Sequence, residues 1–283
     1  SQLDALLTDH DISFVKWDIN RDHVADSGAR GAAGTHDQTR AVYRLLDELR
    51  ARHPDVEFES CASGGGRIDH EILRRAERVW TSDCNDALER QTIQRGASML
   101  IPPELMGAHI GPPRAHTTRR RQSLAFRAAT ALFGHLGIEW NLLTLDEREL
   151  DAVAQVVALH KRFRPLLHGG DTVRFDVDPS LHAHGVYATD RTEALVSVAR
   201  LTTAVSLAPP RLRLPGLDPD RRYHVEHLPV PTEPPLGALG PNRAAPAWWN
   251  DSVDLTGTQL AQLGLQLPAL HPETAILLHL RAE

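Results

Sequence analysis

Two short apolar segments of this sequence end on an aspartate, and the two aspartates are 65 residues apart. The first segment, residues 14–18, ends at Asp18, and the second, residues 79–83, ends at Asp83. Short apolar runs of this kind are typical of buried strands in parallel sheets. Because the carboxyl ends of parallel strands meet at one edge of a sheet or barrel, carboxylates placed there share one site. The sequence therefore predicts an α/β fold with an acidic site at that edge.

The first part of the chain alternates between strand-like and helix-like patterns. Strands are predicted at residues 12–19, 56–60, 79–82, 99–102 and 138–142, and helices at residues 39–52, 71–78, 86–96, 122–132 and 146–163. Such strand–helix units imply a parallel sheet with right-handed crossovers, and a complete (β/α)8 barrel has eight strands. We therefore expect residues 1–165 to form strands four to eight of a TIM barrel, with three earlier strands missing from the sequence.

The pattern changes after Pro165. Short β-branched runs, separated by turns rich in Pro, Gly and Asp, predict strands at residues 172–175, 185–188, 195–200, 221–227 and 275–280. This pattern is typical of an antiparallel sandwich. Residues 166–283 are therefore predicted to form an all-β C-terminal domain, in which the proline-rich residues 229–246 form a surface loop.

Composition narrows the choice of partners. The net charge is −6 over 283 residues, and charges of both signs are interspersed, which argues against nucleic acid or an anionic membrane as the main partner. No apolar run approaches the ~18–20 residues of a membrane-spanning helix. The two cysteines, Cys61 and Cys84, provide neither a disulfide framework nor a cysteine zinc site. They fit a reducing compartment, so we expect a cytoplasmic protein.

Asp18 is the first candidate for chemistry. Lys16, two residues earlier, lies on the same face of the predicted strand, where its ammonium would hold Asp18 ionised and could donate to a ligand hydroxyl. An ionised carboxylate held in this way suits a nucleophile. A purely structural Lys16–Asp18 pair at the strand end fits the spacing equally well.

Asp83 is the second candidate, because it ends a predicted strand in the same manner. Asp86 follows three residues later and opens a predicted helix, where an acidic N-cap is the ordinary expectation. We therefore assign Asp83 to chemistry and Asp86 to capping or to support of the site.

Three consecutive glycines follow another predicted strand, within residues 63–66. They lack the spacing and the lysine of a phosphate loop, but they fit a close approach of the backbone to a ligand. Cys61 could shape a sugar pocket beside these glycines. The alternative is that Cys61 is an ordinary buried cysteine. His109 and His116 could ligate a metal, yet no carboxylate lies at ligand spacing, so structural roles are preferred and no metal is predicted.

Four segments together resemble the retaining α-galactosidases of glycoside hydrolase family 36. The resemblance is carried by Lys16-Trp17-Asp18-Ile19-Asn20-Arg21, by residues 61–67, by residues 80–83 with Asp86 and Ala87, and by residues 106–109. It extends over essentially the whole chain, including residues 263–268. One departure is at residues 115–118, which read Ala-His-Thr-Thr where the family commonly has Asn-His-Gln-Thr.

The resemblance implies hydrolysis of terminal α-D-galactose from melibiose- and raffinose-type α-galactosides, with Asp18 as nucleophile and Asp83 as acid/base. It implies substrate-binding roles for Lys16, Trp17, Asn20, Cys61, Gly64, Gly65 and Trp80. It also implies that no cofactor is needed and that the full-length enzyme is a homo-oligomer. The family holds the C4 and C6 hydroxyls with two acids and a tryptophan from earlier strands, which this sequence lacks. The resemblance is therefore to a C-terminal fragment.

Three alternatives stay open at this point. A transglycosylase would use the same residues with an acceptor sugar in place of water, and an α-N-acetylgalactosaminidase would have more room beside the sugar's 2-position. A non-catalytic sugar-binding relative would keep only the pocket. The presence of both acids together with Lys16 argues against this last alternative.

Overall fold

The computed structural model describes residues 2–20, 33–204, 206, 209–230 and 245–283. Arg21 of the first motif and most of the proline-rich residues 229–246 lie outside the described residues. The chain divides into two compact units. Unit 1 comprises Ser1–Asp83 and Leu105–Gly107, and unit 2 comprises Cys84–Glu104 and Ala108–Glu283. Within the described ranges, no helix is both long and apolar enough to cross a bilayer.

A five-stranded sheet, ordered as in the sequence, carries the first part of the chain. Its strands are β1 Phe14–Asp18, β2 Glu57–Cys61, β3 Arg78–Trp80, β4 Met106–Ile110 and β5 His135–Ile138. The helices are α1 Gln2–Asp9, α2 Thr35–Arg52, α3 Ala87–Ala97, α4 Leu124–Ala131 and α5 Glu147–Gly169. Strands β1 to β4 pair in parallel, so their carboxyl ends share one edge, as the alternating pattern predicts.

The strand predicted at residues 99–102 is wrong. Met99 and Leu100 are 76% and 77% exposed, and the backbone amides of residues 99–101 bond back to carbonyls near the end of α3. Two prolines follow, which have no amide hydrogen for a strand ladder. The strand that follows α3 is instead β4. An apolar run that directly follows a helix can therefore have the sequence pattern of a buried strand without forming one.

Helix α2 packs its apolar stripe in the core of unit 1. Leu46 and Leu49 of α2 are buried together with Phe58 of β2, and the half-buried Trp17 of β1 packs against them. Leucines three residues apart lie on one helix face. The predicted helix is confirmed, and it begins earlier than expected, at Thr35.

Unit 2 contains a six-stranded antiparallel sheet and a separate two-stranded sheet. The elements are β6 Asp171–Phe175, β7 Leu181–Tyr187, β8 Glu193–Arg200, β9 Arg211–Leu212, β10 Arg222–Leu228, β11 Ser252–Thr256, α6 Gly257–Gln262, β12 Leu265–Gln266 and β13 Thr274–Ala282. The large sheet has the order β11-β10-β13-β8-β7-β6, and β12 pairs with β9. All five predicted strands of this region are present. Four further elements were not predicted because they lack a long apolar run, namely β9, β11, α6 and β12.

Helix α5 continues through Pro165 to Gly169. A proline inside a helix removes one backbone hydrogen bond. The buried Phe163, Leu166 and Leu167 flank this position and pack into a common apolar cluster, which outweighs the lost bond. Residue 165, after which the domain boundary is predicted, therefore lies inside a helix that ends at Gly169. The boundary itself stays a prediction.

Candidate active site

The strand register of unit 1 places three candidate side chains and Glu59 on one face of the sheet. Lys16 lies opposite Glu59, and Asp18 lies opposite Cys61, between β1 and β2. Opposed residues of a parallel pair share a face, and residues two apart on one strand share it too. Lys16, Asp18, Glu59 and Cys61 therefore point to the same side, in two rows.

The Cys61 thiol interacts with both candidate carboxylates. Its Sγ is 4.0 Å from Asp83 Oδ1, and the thiol also hydrogen-bonds with the Asp18 carboxylate. Burial raises the pKa of Cys61 to about 11, and the bond with Asp18 acts in the same direction. Cys61 is therefore a neutral thiol at ordinary pH, and the structure brings Asp18 and Asp83 together around it.

Each carboxylate is oriented by a neighbour from its own strand end. Asn20 Nδ2 donates to Asp18 Oδ2 over 3.2 Å, and Trp80 Nε1 donates to Asp83 Oδ1 over 3.1 Å. Asn20 Oδ1 also accepts the backbone N–H of Ser63 over 2.7 Å. The Asn20 amide thus joins Asp18 to the glycine loop.

The glycine loop packs against the segment that carries Asp83. A Cβ atom on Gly64 would lie 2.5 Å from Ser82 Cα and 2.8 Å from the Asp83 nitrogen, and one on Gly65 would lie 2.7 Å from the Thr81 oxygen. Gly64 also has a φ of +80°, which favours glycine. The sequence suggests that these glycines approach a ligand, whereas in the structure they approach a neighbouring backbone. Their contact with a ligand stays a prediction.

Replacing Gly64 with alanine is expected to destabilise the protein by at least about 2 kcal/mol, because the methyl group meets backbone and the φ is unfavourable for alanine. Urea unfolding of the full-length gene product measures the change. Gly96→Ala is the matched control, because Gly96 lies in α3 with nothing within 4 Å of its would-be Cβ. That change should stabilise by up to about 1 kcal/mol. Equal effects of the two changes would contradict the packing argument.

Trp17 is not brought to this group of side chains. It alternates with Lys16 and Asp18 along β1, so it points to the opposite face of the sheet. There it packs against the apolar cluster that contains Leu46 and Phe58. The placement of Trp17 in the substrate pocket is therefore corrected to a place in the core of unit 1, since a strand turns successive side chains to opposite faces.

Lys16 forms its salt bridge with Glu59, with 3.3 Å between Nζ and Oε1. From the sequence, this cation is expected to hold Asp18 ionised, and Glu59 has no predicted role. The Lys16 ammonium also lies 4.5 Å from the centre of the Trp80 ring. The alternation of β2 could have identified Glu59, because it precedes Cys61 by two residues and so shares its face.

Asp86 caps helix α3, as predicted. Its carboxylate accepts the backbone N–H groups of Leu88 and Glu89 and the donors of Thr118 and Arg120. Burial opposes ionisation, but these bonds together hold the pKa of Asp86 below its usual value. Asp86 is therefore an ionised structural acid of unit 2.

His109 has a carboxylate partner that its sequence neighbourhood does not reveal. Glu139, which follows β5, places Oε2 3.1 Å from His109 Nδ1 and 3.1 Å from Asn85 Nδ2. The sequence analysis finds no such carboxylate, because Glu139 is 30 residues away along the chain. One carboxylate oxygen satisfies both groups, which fits the structural role preferred for His109.

The family of this chain follows from comparison with known proteins. The Melibiase family model matches residues 1–170, the part that holds Asp18, Cys61 and Asp83. The chain belongs to the melibiase family. A second model, the glycosyl hydrolase family 36 C-terminal domain, matches residues 181–280. The resemblance inferred from the four motifs is confirmed.

Similar proteins are α-galactosidases much longer than this chain. The alpha-galactosidase of Escherichia coli is 48% identical over 277 residues, which are 97% of this chain and 39% of that protein. Alpha-galactosidase C of Emericella nidulans is 38% identical over 225 residues, which are 78% of this chain and 29% of that protein. The chain thus spans well under half the length of these relatives.

Solved structures give the same family. The family 36 alpha-galactosidase AgaA from Geobacillus stearothermophilus matches with a TM-score of 0.84 and 30% identity, and the match covers 100% of this chain and 37% of AgaA. A double variant of AgaA in complex with raffinose has a TM-score of 0.83, 30% identity and the same coverage. Another AgaA double variant is in complex with stachyose, with a TM-score of 0.84.

Proposed function

We propose that the full-length protein containing this chain hydrolyses terminal non-reducing α-D-galactose residues of melibiose- and raffinose-type α-galactosides. The observation that carries the proposal is the pair of carboxylates, Asp18 and Asp83, that contact one thiol in unit 1. The relatives support the substrate class, because they are named α-galactosidases and AgaA variants hold raffinose and stachyose.

A double displacement with net retention follows from two carboxylates in these roles. Asp18, exposed and oriented by Asn20, attacks the anomeric carbon and forms a β-galactosyl ester while the glycosidic bond breaks. Asp83, oriented by the Trp80 indole, gives its proton to the leaving oxygen. Asp83 then takes a proton from water, whose oxygen displaces the Asp18 carboxylate and releases α-galactose.

The separation of the two carboxylates distinguishes this scheme from inversion. Retaining pairs lie about 5–5.5 Å apart, whereas inverting pairs leave about 6.5–9.5 Å for a water. We expect the retaining distance for Asp18 and Asp83. Their shared contact with the Cys61 thiol supports a common cleft for the two carboxylates. A crystal structure of the full-length protein measures the separation, and a distance above about 9 Å would exclude the pair.

We further propose which residues form the sugar subsite around Asp18 and Asp83, and which architecture carries it. The galactose subsite is formed by Lys16, Asn20, Cys61, Trp80 and the backbone of Gly64 and Gly65. The five-stranded sheet corresponds to strands four to eight of a barrel in residues 1–165, and residues 166–283 correspond to a sandwich. The rows of side chains at the ends of β1 and β2 support this arrangement.

The test is an assay of the full-length gene product on p-nitrophenyl α-galactoside and raffinose, with the first-formed anomer read by NMR. Release of α-galactose supports the proposal, and β-galactose would exclude retention. Galactosyl transfer in place of release would identify a transglycosylase. Preference for the α-N-acetylgalactosaminide would identify that hydrolase, and sugar binding without turnover would identify a binding protein.

Two further properties stay proposals. We propose that the full-length enzyme is a homo-oligomer located in the cytoplasm. The first follows from the family resemblance, and the second from the small number of cysteines in the sequence, which is two. Light scattering of the purified full-length protein measures the first, and cell fractionation tests the second.

A further inference from the structure

Glu59 is a buried acid for which the double displacement has no role. It is 3% exposed. Its Oε1 lies 3.3 Å from Lys16 Nζ, and its Oε2 lies 3.4 Å from Arg78 Nε. A carboxylate removed from water requires such partners. Glu59 therefore lies between two cations, one row below Asp18 and Cys61.

The Lys16 ammonium connects Glu59 to the indole that orients Asp83. It lies over the Trp80 ring, 4.5 Å from the centre, in the geometry of a cation–π contact. Gly107 makes this arrangement possible, because a Cβ atom there would lie 2.9 Å from a Trp80 ring carbon and 3.5 Å from Glu59 Oε2. The absence of a side chain at Gly107 thus leaves room for the Trp80 ring next to Glu59.

We propose that Glu59 is a positioning residue of the α-galactosidase site, an inference that rests on the proposed function. It holds the Lys16 ammonium between its own carboxylate and the Trp80 ring. In this position the cation serves the galactose subsite, and the ring keeps the indole N–H aimed at Asp83. The lysine side chain is flexible and 34% exposed, so without the anion the ammonium turns toward water.

The decisive experiment is a double-mutant cycle in the full-length enzyme, with Glu59→Gln, Lys16→Met and both changes together. Each single variant is expected to lose ~10²-fold in kcat/KM, the loss that a misplacement of about 1 Å causes. Because Glu59 acts through Lys16, the double variant should be no more than about threefold worse than Lys16→Met. The share of the loss in kcat/KM that comes from a lower kcat, and the share that comes from a higher KM, should be the same in both single variants.

Two further variants separate charge from packing. Glu59→Asp keeps the anion and should recover at least about tenfold over Glu59→Gln. Glu57→Gln is the matched control, because Glu57 lies on the same strand face and pairs with the same Arg78, yet its side chain is exposed at the start of β2. This control should stay within about twofold of wild type.

Independent losses that multiply in the double variant would overturn the inference, as would a Glu59→Asp variant no better than Glu59→Gln. If Glu59→Gln does not fold, Glu59→Asp replaces it in the cycle, with a loss of about tenfold expected. Where Glu59→Gln folds, its crystal structure decides the positional claim without any assay. The Lys16 ammonium should leave the Trp80 ring, and an unmoved ammonium refutes the inference. A wild type inactive on α-galactosides refutes the proposed function instead.

Discussion

Replacing Asp18 with glycine is expected to lower the hydrolysis of α-galactosides by ~10⁴-fold or more, because the carboxylate that forms the glycosyl ester is gone. The space left by the side chain admits a small anion. Added azide should therefore attack the anomeric carbon of an activated aryl α-galactoside from the Asp18 side, and the product should be β-galactosyl azide. Measurement of kcat with and without azide, and NMR of the product, check both statements.

The control for this experiment is the same substitution at an exposed acid outside the site. Asp11 lies just before β1 and is exposed, so Asp11→Gly should leave activity within about twofold of wild type. Asp18 is exposed as well, and its loss should not prevent folding. A folded Asp18→Gly variant that retains substantial activity, or that yields the α-azide, would show that Asp18 is not the nucleophile.

Replacing Asp83 with alanine is expected to lower activity most on substrates whose leaving group has a high pKa, because such a group must be protonated as it leaves. Loss of a general acid costs about 10²–10⁴-fold, so raffinose hydrolysis should fall by that amount. The dinitrophenolate of a dinitrophenyl α-galactoside leaves without protonation. The variant should therefore form the glycosyl ester from this substrate nearly as fast as the wild type. Azide should then replace water in the second step and give α-galactosyl azide. The dependence of kcat/KM on leaving-group pKa measures the effect.

Asp86→Ala serves as the contrast, because Asp86 is a nearby acid in the sequence but caps helix α3. Its loss should reduce the free energy of unfolding by about 1–2 kcal/mol and leave the leaving-group dependence unchanged. If Asp86→Ala showed the steep dependence and Asp83→Ala did not, the acid/base would have to be reassigned to Asp86.

Much of the fold was accessible from the sequence because local patterns encode it. The leucines of α2 repeat at helical spacing, and the β-branched runs after Gly170 alternate with turns, so both regions were predicted correctly. The error at residues 99–102 has a different origin. Whether an apolar run is buried depends on what packs over it, and nothing in the run itself shows that Met99 and Leu100 are exposed.

Some features of the candidate site could likewise be predicted from the sequence, and others required the tertiary structure. The order and spacing of Asp18, Cys61 and Asp83 are properties of the sequence, and they were sufficient to indicate the family. Strand alternation alone also indicates that Trp17 faces away from Asp18, but the tertiary structure was needed to show which face is the core.

The sequence by itself determined which chemical groups this protein can bring to a site: two strand-end carboxylates, a lysine, a thiol and a glycine loop. Only the tertiary structure decided their partners. In it, Lys16 forms a salt bridge with Glu59 rather than with Asp18, and the glycine loop packs against the backbone of the segment that carries Asp83. The physical reason is that strand register and close packing bring together groups from distant parts of the chain. The pattern of any one segment contains no information about which of them will meet.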